Sequence, residues 1–490
     1  MDISHLNYGI IHSLIGKNDG VSIVIDQSVT AMVNNLNIEL GNIYFLAAHT
    51  SPRFNAYTND VFWHKNDIHK LIISHFNDQA DESDPAAREL DALIHENAMA
   101  ARDIISDFVQ QYNIDIIIAH NTSHLYNFIT AVALGYYFED LRSKNLVWPK
   151  LLVWWHDSYF EREQFSNPGP VIRKYLKYLP GTYIDGIVFI NSVQPELARK
   201  MFMANGHKQT EAFFRERTLI IPNTHDIKWE WRKYDWNSPN LIHPPQDNYN
   251  NTFFKDIGLT GIIENAGYTM DDTLILLQHT RIVPRKKIEF AIDLAFAIAS
   301  RFRNTGVNKC IALLISGHSG DEQAKYKEFL TSYYHLKLEE FKELPVYMIF
   351  GEEIILSHRD IIVDKKYYNF AEVPSIVASV GGIGTYFSEV EGFGNNLLEM
   401  LAAGLPVIIN YYNIYKTDLE PLGFKLPYAE ENVMTNELID TAFKIATDIH
   451  YRNKIVVHNL EVLDQKLGST VISDSLQVLI NNIFTKGLPR

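Results

Sequence analysis

The sequence predicts an α/β protein of two Rossmann-like domains facing one another across a cleft. Three observations carry that prediction. Short apolar runs alternate with longer amphipathic segments, the pattern of strands and helices in parallel α/β sheets. The chain's 490 residues exceed what one core usually organises, and the alternation runs through the chain twice. Between the two passes lies WEWRKYDWNSPNLIHPPQDNYNN, residues 229–251, whose Pro, Asn and aromatic content reads as an interdomain connection.

In the first pass IDIIIAH (from Ile114), KLLVWWHD (from Lys150), DGIVFINS (from Asp185) and RTLIIPN (from Arg217) read as buried strands. In the second pass DTLILLQHTR, KCIALLISGHSG, PVYMIFG, GGIGTYFSE and LPVIIN read the same way. Each ends in polar residues, and in open α/β sheets ligands bind at those carboxyl ends. The expected division is 1–236 for the first domain, 237–252 for the connection and 253–465 for the second. A helical pattern, VISDSLQVLINNIF, falls within 466–490.

Composition removes several classes of function. Acidic residues outnumber basic ones, 59 to 44, for a formal charge of -15, so nucleic acid is not an expected partner. The single cysteine, Cys310, cannot form an internal disulfide and lies in the strand run CIALLIS, so it reads as a buried packing residue in a reducing compartment. MDISHLNYGIIHSLIGKNDG has no secretory-signal pattern, and no apolar run approaches the roughly 20 residues of a membrane span. The expectation is a cytoplasmic protein. RKYLKYL, from Arg173, mixes basic and apolar residues; an ordinary surface helix is preferred there to a peripheral membrane contact. Trp229, Trp231 and Trp236 are expected to pack the connection rather than stack on a sugar.

The chemistry concentrates in SEVEGFGNNLLEMLAAGLPVI, Ser388 to Ile408. Leu397, Leu398, Leu401 and Ala402 recur at helical spacing, so a helix starts near Asn395. Gly392 and Gly394 precede it in the turn, where backbone amides and the helix N-terminus favour an anion such as a diphosphate. Glu399 is placed to accept hydrogen bonds from a ribose, and Glu391 from sugar hydroxyls.

Here the chain resembles the retaining, family-4-like (group 1) glycosyltransferases of the GT-B fold. Their motif is E-G-F-G with a second Glu eight positions after the first, then a small-residue, Gly, Pro, Val run. Glu391, Gly392, Phe393, Gly394, Glu399, Ala403, Gly404, Pro406 and Val407 stand in that register. The family's G-R-x-x-x-x-K-G segment is matched by HTRIVPRKKIEF, where Arg281 and Lys286 fall in place and Thr280 and Lys287 replace the glycines. The resemblance implies that this cation pair stabilises a leaving diphosphate. With no Asp-x-Asp motif in the chain, neither a metal nor another cofactor is expected.

The same resemblance implies further positions. FFKDIGL, from Phe253, is similar to the entry into the second domain; Gly317 lies in the glycine turn of SGHSGDE; Phe350 lies in the segment that usually holds the base. In the first domain GKNDGVSIVIDQSVTAMV resembles the loop facing donor phosphates and acceptor, with Gly20 and Val21 matching. A plain strand-to-helix turn is the alternative reading. WWHDSYF resembles the His-Asp or His-Glu after a strand, which makes His156 the candidate for touching the transferred sugar; a hydrogen-bonded core histidine is the alternative. Asn121 and Asn191, at other strand ends, are acceptor-side candidates. IPNTHD matches I-P-N-G-x-D except at Thr224, and the C-terminal helix is expected to cross back to the first domain.

The implied reaction moves a hexose from a nucleoside diphosphate sugar, UDP- or GDP-linked, to an acceptor hydroxyl on a small molecule or glycan, with retention and without a metal. Two alternatives stay open at this stage: a phosphorylase on the same scaffold using a sugar-1-phosphate, and a non-catalytic protein that binds sugar nucleotides.

Overall fold

A computed structural model describes residues 2–17, 19–181, 183–207, 211–227, 247–318 and 324–485. Trp229, Trp231, Trp236 and the greater part of the expected connection lie outside the described residues. The chain divides into two compact units: 1–224 together with 469–490, and 225–468.

The first unit is built on a parallel seven-stranded sheet. Its order is Ala56–Thr58, Ile43–Ala47, Tyr8–Ile11, Ile116–His120, Lys150–Trp155, Gly186–Phe189, Thr218–Ile220. Ile116–His120 is central and buried along its whole length, which explains why IDIIIAH reads as a continuous apolar run rather than an alternating one. Tyr8–Ile11 and Ile43–Ala47 are strands that the sequence reading did not single out. The helix Pro85–Tyr112 packs beside Phe128–Ser143, placing Ile94, Ala98, Ala101 and Ile105 in the core. The last helix, Thr470–Thr485, packs on the helix Gly20–Leu36 and buries Ile472, Leu476, Leu479, Ile480 and Ile483. It therefore belongs to the first unit although it follows the second in sequence.

The second unit repeats the plan with six parallel strands. Their order is Val346–Phe350, Cys310–Ile315, Thr273–Gln278, Ile383–Tyr386, Val407–Asn410, Tyr428–Ala429. Cys310 opens the second of these and is fully buried, so it is a packing residue as expected. Leu274, Leu276, Ile292, Ala295, Ile311 and Leu313 fill the core between this sheet and the helix Glu289–Thr305.

IILSHRDIIVDKKYY folds into a separate three-stranded sheet of Ile355–Leu356, Lys365–Asn369 and Asp360–Ile362. Its hairpin turns on Val363 and Asp364, both left-handed at φ 48° and 64°, as a two-residue turn of the type matching strand twist requires. The hairpin returns the chain to Phe370 at the edge of the candidate site. RKYLKYL contributes to the short helix Pro170–Leu176, whose Ile172, Tyr175 and Leu176 are buried. Its Lys174 pairs with Asp91 at 3.0 Å and with Glu82 at 2.5 Å. Among the described residues no helix is long and apolar enough to cross a membrane.

Candidate active site

In the second unit, parallel strand ends bring the predicted carboxylates among basic and polar partners. The helix Asn395–Ala402 starts at the expected residue, directly after Gly394. Gly394 holds φ +123°, and a Cβ there would lie 2.7 Å from the Tyr412 hydroxyl, so a side chain at this turn meets both strain and a clash. That hydroxyl donates to the Phe393 carbonyl at 2.9 Å and pins the loop from behind; Phe393 is buried and Gly392 is exposed.

Glu399, one turn into the helix, is buried with its Oε2 at 3.0 Å from His279 Nε2 and 3.3 Å from Asn396 Nδ2. The other ring nitrogen of His279, Nδ1, is 2.9 Å from Ser316 Oγ. The His279 ring lies against Phe370, centroids 3.9 Å apart and planes 16° from parallel. His279 directly follows the strand Thr273–Gln278, and Ser316 directly follows Cys310–Ile315. The two loops touch because Gly317 allows it: a Cβ there would fall 1.9 Å from the Thr280 carbonyl oxygen.

Glu391 is nearly buried and pairs with two cations, Lys286 Nζ and Arg285 Nη1, the latter at 3.2 Å. Burial pushes the carboxyl pKa up, but Lys286 and Arg285 outweigh it and hold the group at about 2. Burial lowers the pKa of Lys286, and Glu391 opposes that shift. Glu391 is thus an anion at neutral pH. Lys286 ends a short turn, Pro284–Lys286, and is 3% exposed, so its charge is held in a buried ion pair rather than in solvent. Lys287 follows at φ +48°, so this position takes the left-handed conformation that the glycine of the resembled segment provides more easily. Arg281 is exposed, and its positive charge bears on Lys286. Phe350 ends its strand half-buried, with the Lys327 ammonium 4.8 Å from its ring centroid.

In the first unit the candidates lie along the carboxyl ends of its own sheet. His156 Nε2 is 3.0 Å from His120 Nδ1, and the His120 ring stacks on Trp154 at 5.2 Å. His12 Nδ1 lies 3.3 Å from the His120 carbonyl. Burial, followed by the charge of His12, lowers the His156 pKa to about 3; burial lowers that of His124 to about 4. These rings are neutral at physiological pH.

Asn121, left-handed at φ 59°, accepts the Asp157 amide at 3.0 Å. Asn191 accepts the amides of Val193 at 3.1 Å and Gln194 at 3.0 Å. Gly20 opens the helix Gly20–Leu36, where the Asp19 carboxylate accepts the amides of Val21 at 3.1 Å and Ser22 at 3.2 Å. The strand-to-helix turn is a side-chain-capped helix start.

The sequence reading missed Arg285, His279, Ser316 and His12. HTR did carry a signal for His279, since polar residues immediately after a buried apolar strand mark a ligand-facing end. Its pairing with Glu399 spans 120 positions, and no local pattern encodes that.

No family model matches the chain. It is 27% identical over 444 residues to the mannosylglucosylglycerate synthase of Petrotoga mobilis, covering 86% of both chains. It superimposes on sucrose-phosphate synthase from Thermosynechococcus elongatus with a TM-score of 0.55, 13% identity, and coverage of 99% of this chain and all of that one. It likewise superimposes on HepE from Anabaena, solved with UDP and glucose, with a TM-score of 0.53, 13% identity, and coverage of 97% of this chain and all of that one. The chain has the GT-B fold. The resemblance to GT-B glycosyltransferases read from Glu391 to Glu399 is borne out by these matches.

Proposed function

We propose that this GT-B protein is a retaining, metal-independent hexosyltransferase that uses a nucleoside diphosphate sugar. The observation that carries the reading is the pairing of Glu391 with Lys286 and Arg285, in the loop that leads into the helix of a Glu399 braced by His279. Arg285 and Lys286 flank one carboxylate and the charge of Arg281 bears on Lys286, which leaves the loop net positive and suited to a diphosphate. Glu391, kept ionised, accepts hydrogen bonds from sugar hydroxyls, and Glu399 accepts them from the ribose. His156, neutral in the first unit, offers the transferred sugar an uncharged donor or acceptor. The leaving phosphate takes the acceptor proton, so the reaction needs no separate base.

The HepE structure supports the donor class, because that protein is seen with UDP and glucose. The Petrotoga relative supports the acceptor class: its name describes a conjugate of mannose, glucose and glycerate. We therefore assign a small, soluble, anionic glycoside as the acceptor. The test is to incubate the protein with UDP-glucose or GDP-mannose and glucosylglycerate, with and without EDTA. A new glycosidic anomeric signal of the donor's own configuration, released nucleoside diphosphate and indifference to EDTA are expected. Release of nucleotide without a new linkage, or turnover that requires inorganic phosphate, overturns the reading.

A further inference from the structure

We propose that His279 is a positioning residue that orients Glu399 to read the ribose of the donor; this rests on the donor reading above. His279 and Ser316 are fully buried. A buried imidazole is costly unless both nitrogens are engaged, and here both are.

The proton inventory gives the pair its character. Ser316 Oγ has one proton and two acceptors in reach, His279 Nδ1 at 2.9 Å and the Gln278 carbonyl at 3.4 Å. In the tautomer that accepts this proton at Nδ1, the His279 Nε2–H donates to Glu399 and fixes one of its carboxylate oxygens. Asn396 holds the same oxygen, Oε2, and the two donors together set the plane of the carboxylate.

The surroundings keep the imidazole in place. Phe370, delivered by the inserted hairpin, covers one face of the ring. Gln278 is tied to Thr385 at 2.7 Å and to Thr280 at 2.9 Å, which anchors the strand end on both sides of His279. Orientation by a second layer of hydrogen bonds is how binding carboxylates are held to one geometry.

The experiment is calorimetric binding of UDP and GDP, each beside its 2′-deoxy counterpart, to the parent and to His279→Gln, His279→Ala and Ser316→Ala. Loss of a hydrogen bond from a hydroxyl to a carboxylate weakens binding about tenfold or more. In the parent, the base that binds is therefore expected to favour ribose over deoxyribose by about that factor. His279→Gln, whose amide nitrogen reaches the same place, retains the preference. His279→Ala brings the ratio close to 1, and Ser316→Ala lowers it part of the way. A preference unchanged in both His279→Ala and Ser316→Ala overturns the positioning role while leaving the donor reading intact. A parent that binds ribose and deoxyribose forms equally overturns this inference while leaving the donor reading intact, and one that binds neither base overturns both. Ser316→Ala decides the matter if His279→Ala does not fold, because it leaves the ring in place and removes the hydroxyl at its Nδ1.

Discussion

In the first unit, His120 Nδ1 and His156 Nε2 meet at 3.0 Å and both rings are held neutral by burial; in the second, Glu391 sits between Lys286 and Arg285 and is held charged. Both arrangements lie at the carboxyl ends of parallel strands, yet they meet the cost of burial in opposite ways. An imidazole escapes desolvation by giving up its proton, which costs little near neutrality because its ordinary pKa is close by. A lysine and a glutamate would each need a shift of several units to do the same, so they are cheaper to bury together, as a pair. The difference teaches where each unit is sensitive: the first to protons, the second to loss of a partner.

The largest expected effect breaks the charged pair. Lys286→Met leaves Glu391 buried beside Arg285 alone and is expected to destabilise the second unit by about 3–5 kcal/mol. Adding Glu391→Gln should recover much of that loss, a coupling that a double-mutant cycle in denaturant measures. If the two single losses simply add, the pair is not coupled and the contrast fails.

A second expectation uses pH. The unfolded chain takes up protons on its histidines below about 6.5, while folded His156 resists to about 3 and folded His64, His69 and His124 to about 4. Stability of the first unit is therefore lost progressively as pH falls from about 6.5 towards 4. The Glu391 contribution is intact above its ordinary value of 4.5 and is lost only as pH falls from there through about 2. Hydrogen exchange followed by peptide should show protection failing in the first unit at higher pH than in the second. Simultaneous failure would remove the distinction.

Two smaller changes sharpen it. Arg281→Ala, at an exposed position, should leave stability within about 0.5 kcal/mol while weakening nucleoside diphosphate binding, and loss of fold would place Arg281 in the framework instead. Lys287→Gly relieves the left-handed backbone at φ +48° and should stabilise the second unit by about 1 kcal/mol, less the exposed pair with Glu389. A thermal shift downward would mean that this pair outweighs the strain.

The strands of both sheets between Ile114 and Asn410 were legible because a buried parallel strand leaves an unbroken apolar run, whereas Tyr428–Ala429, only two residues long, leaves none. Tyr8–Ile11 was harder: with glycine at its centre and a histidine behind it, the run is too short to stand out. Glu391, Glu399 and Lys286 could be read from spacing, since their loops and helix are local. Arg285 was passed over although it adjoins Lys286, because the resembled segment assigns nothing to that position. His279 and Ser316 come from different strands and acquire their meaning through a sheet register that neither segment carries. The inserted hairpin was recognised as an insertion, but Phe370 reaches His279 only through the tertiary path that the hairpin creates.

The return of Thr470–Thr485 to the first unit has a consequence for how the protein is made. Residues 1–224 leave the ribosome without the helix that covers their apolar face, and Ile483 is the side chain that closes against Gly186. At about 5–20 residues per second, synthesis of the intervening unit leaves that face uncovered for tens of seconds. The second unit can complete its core while still being followed by nascent chain, so it is the later-born half of the protein that finishes first.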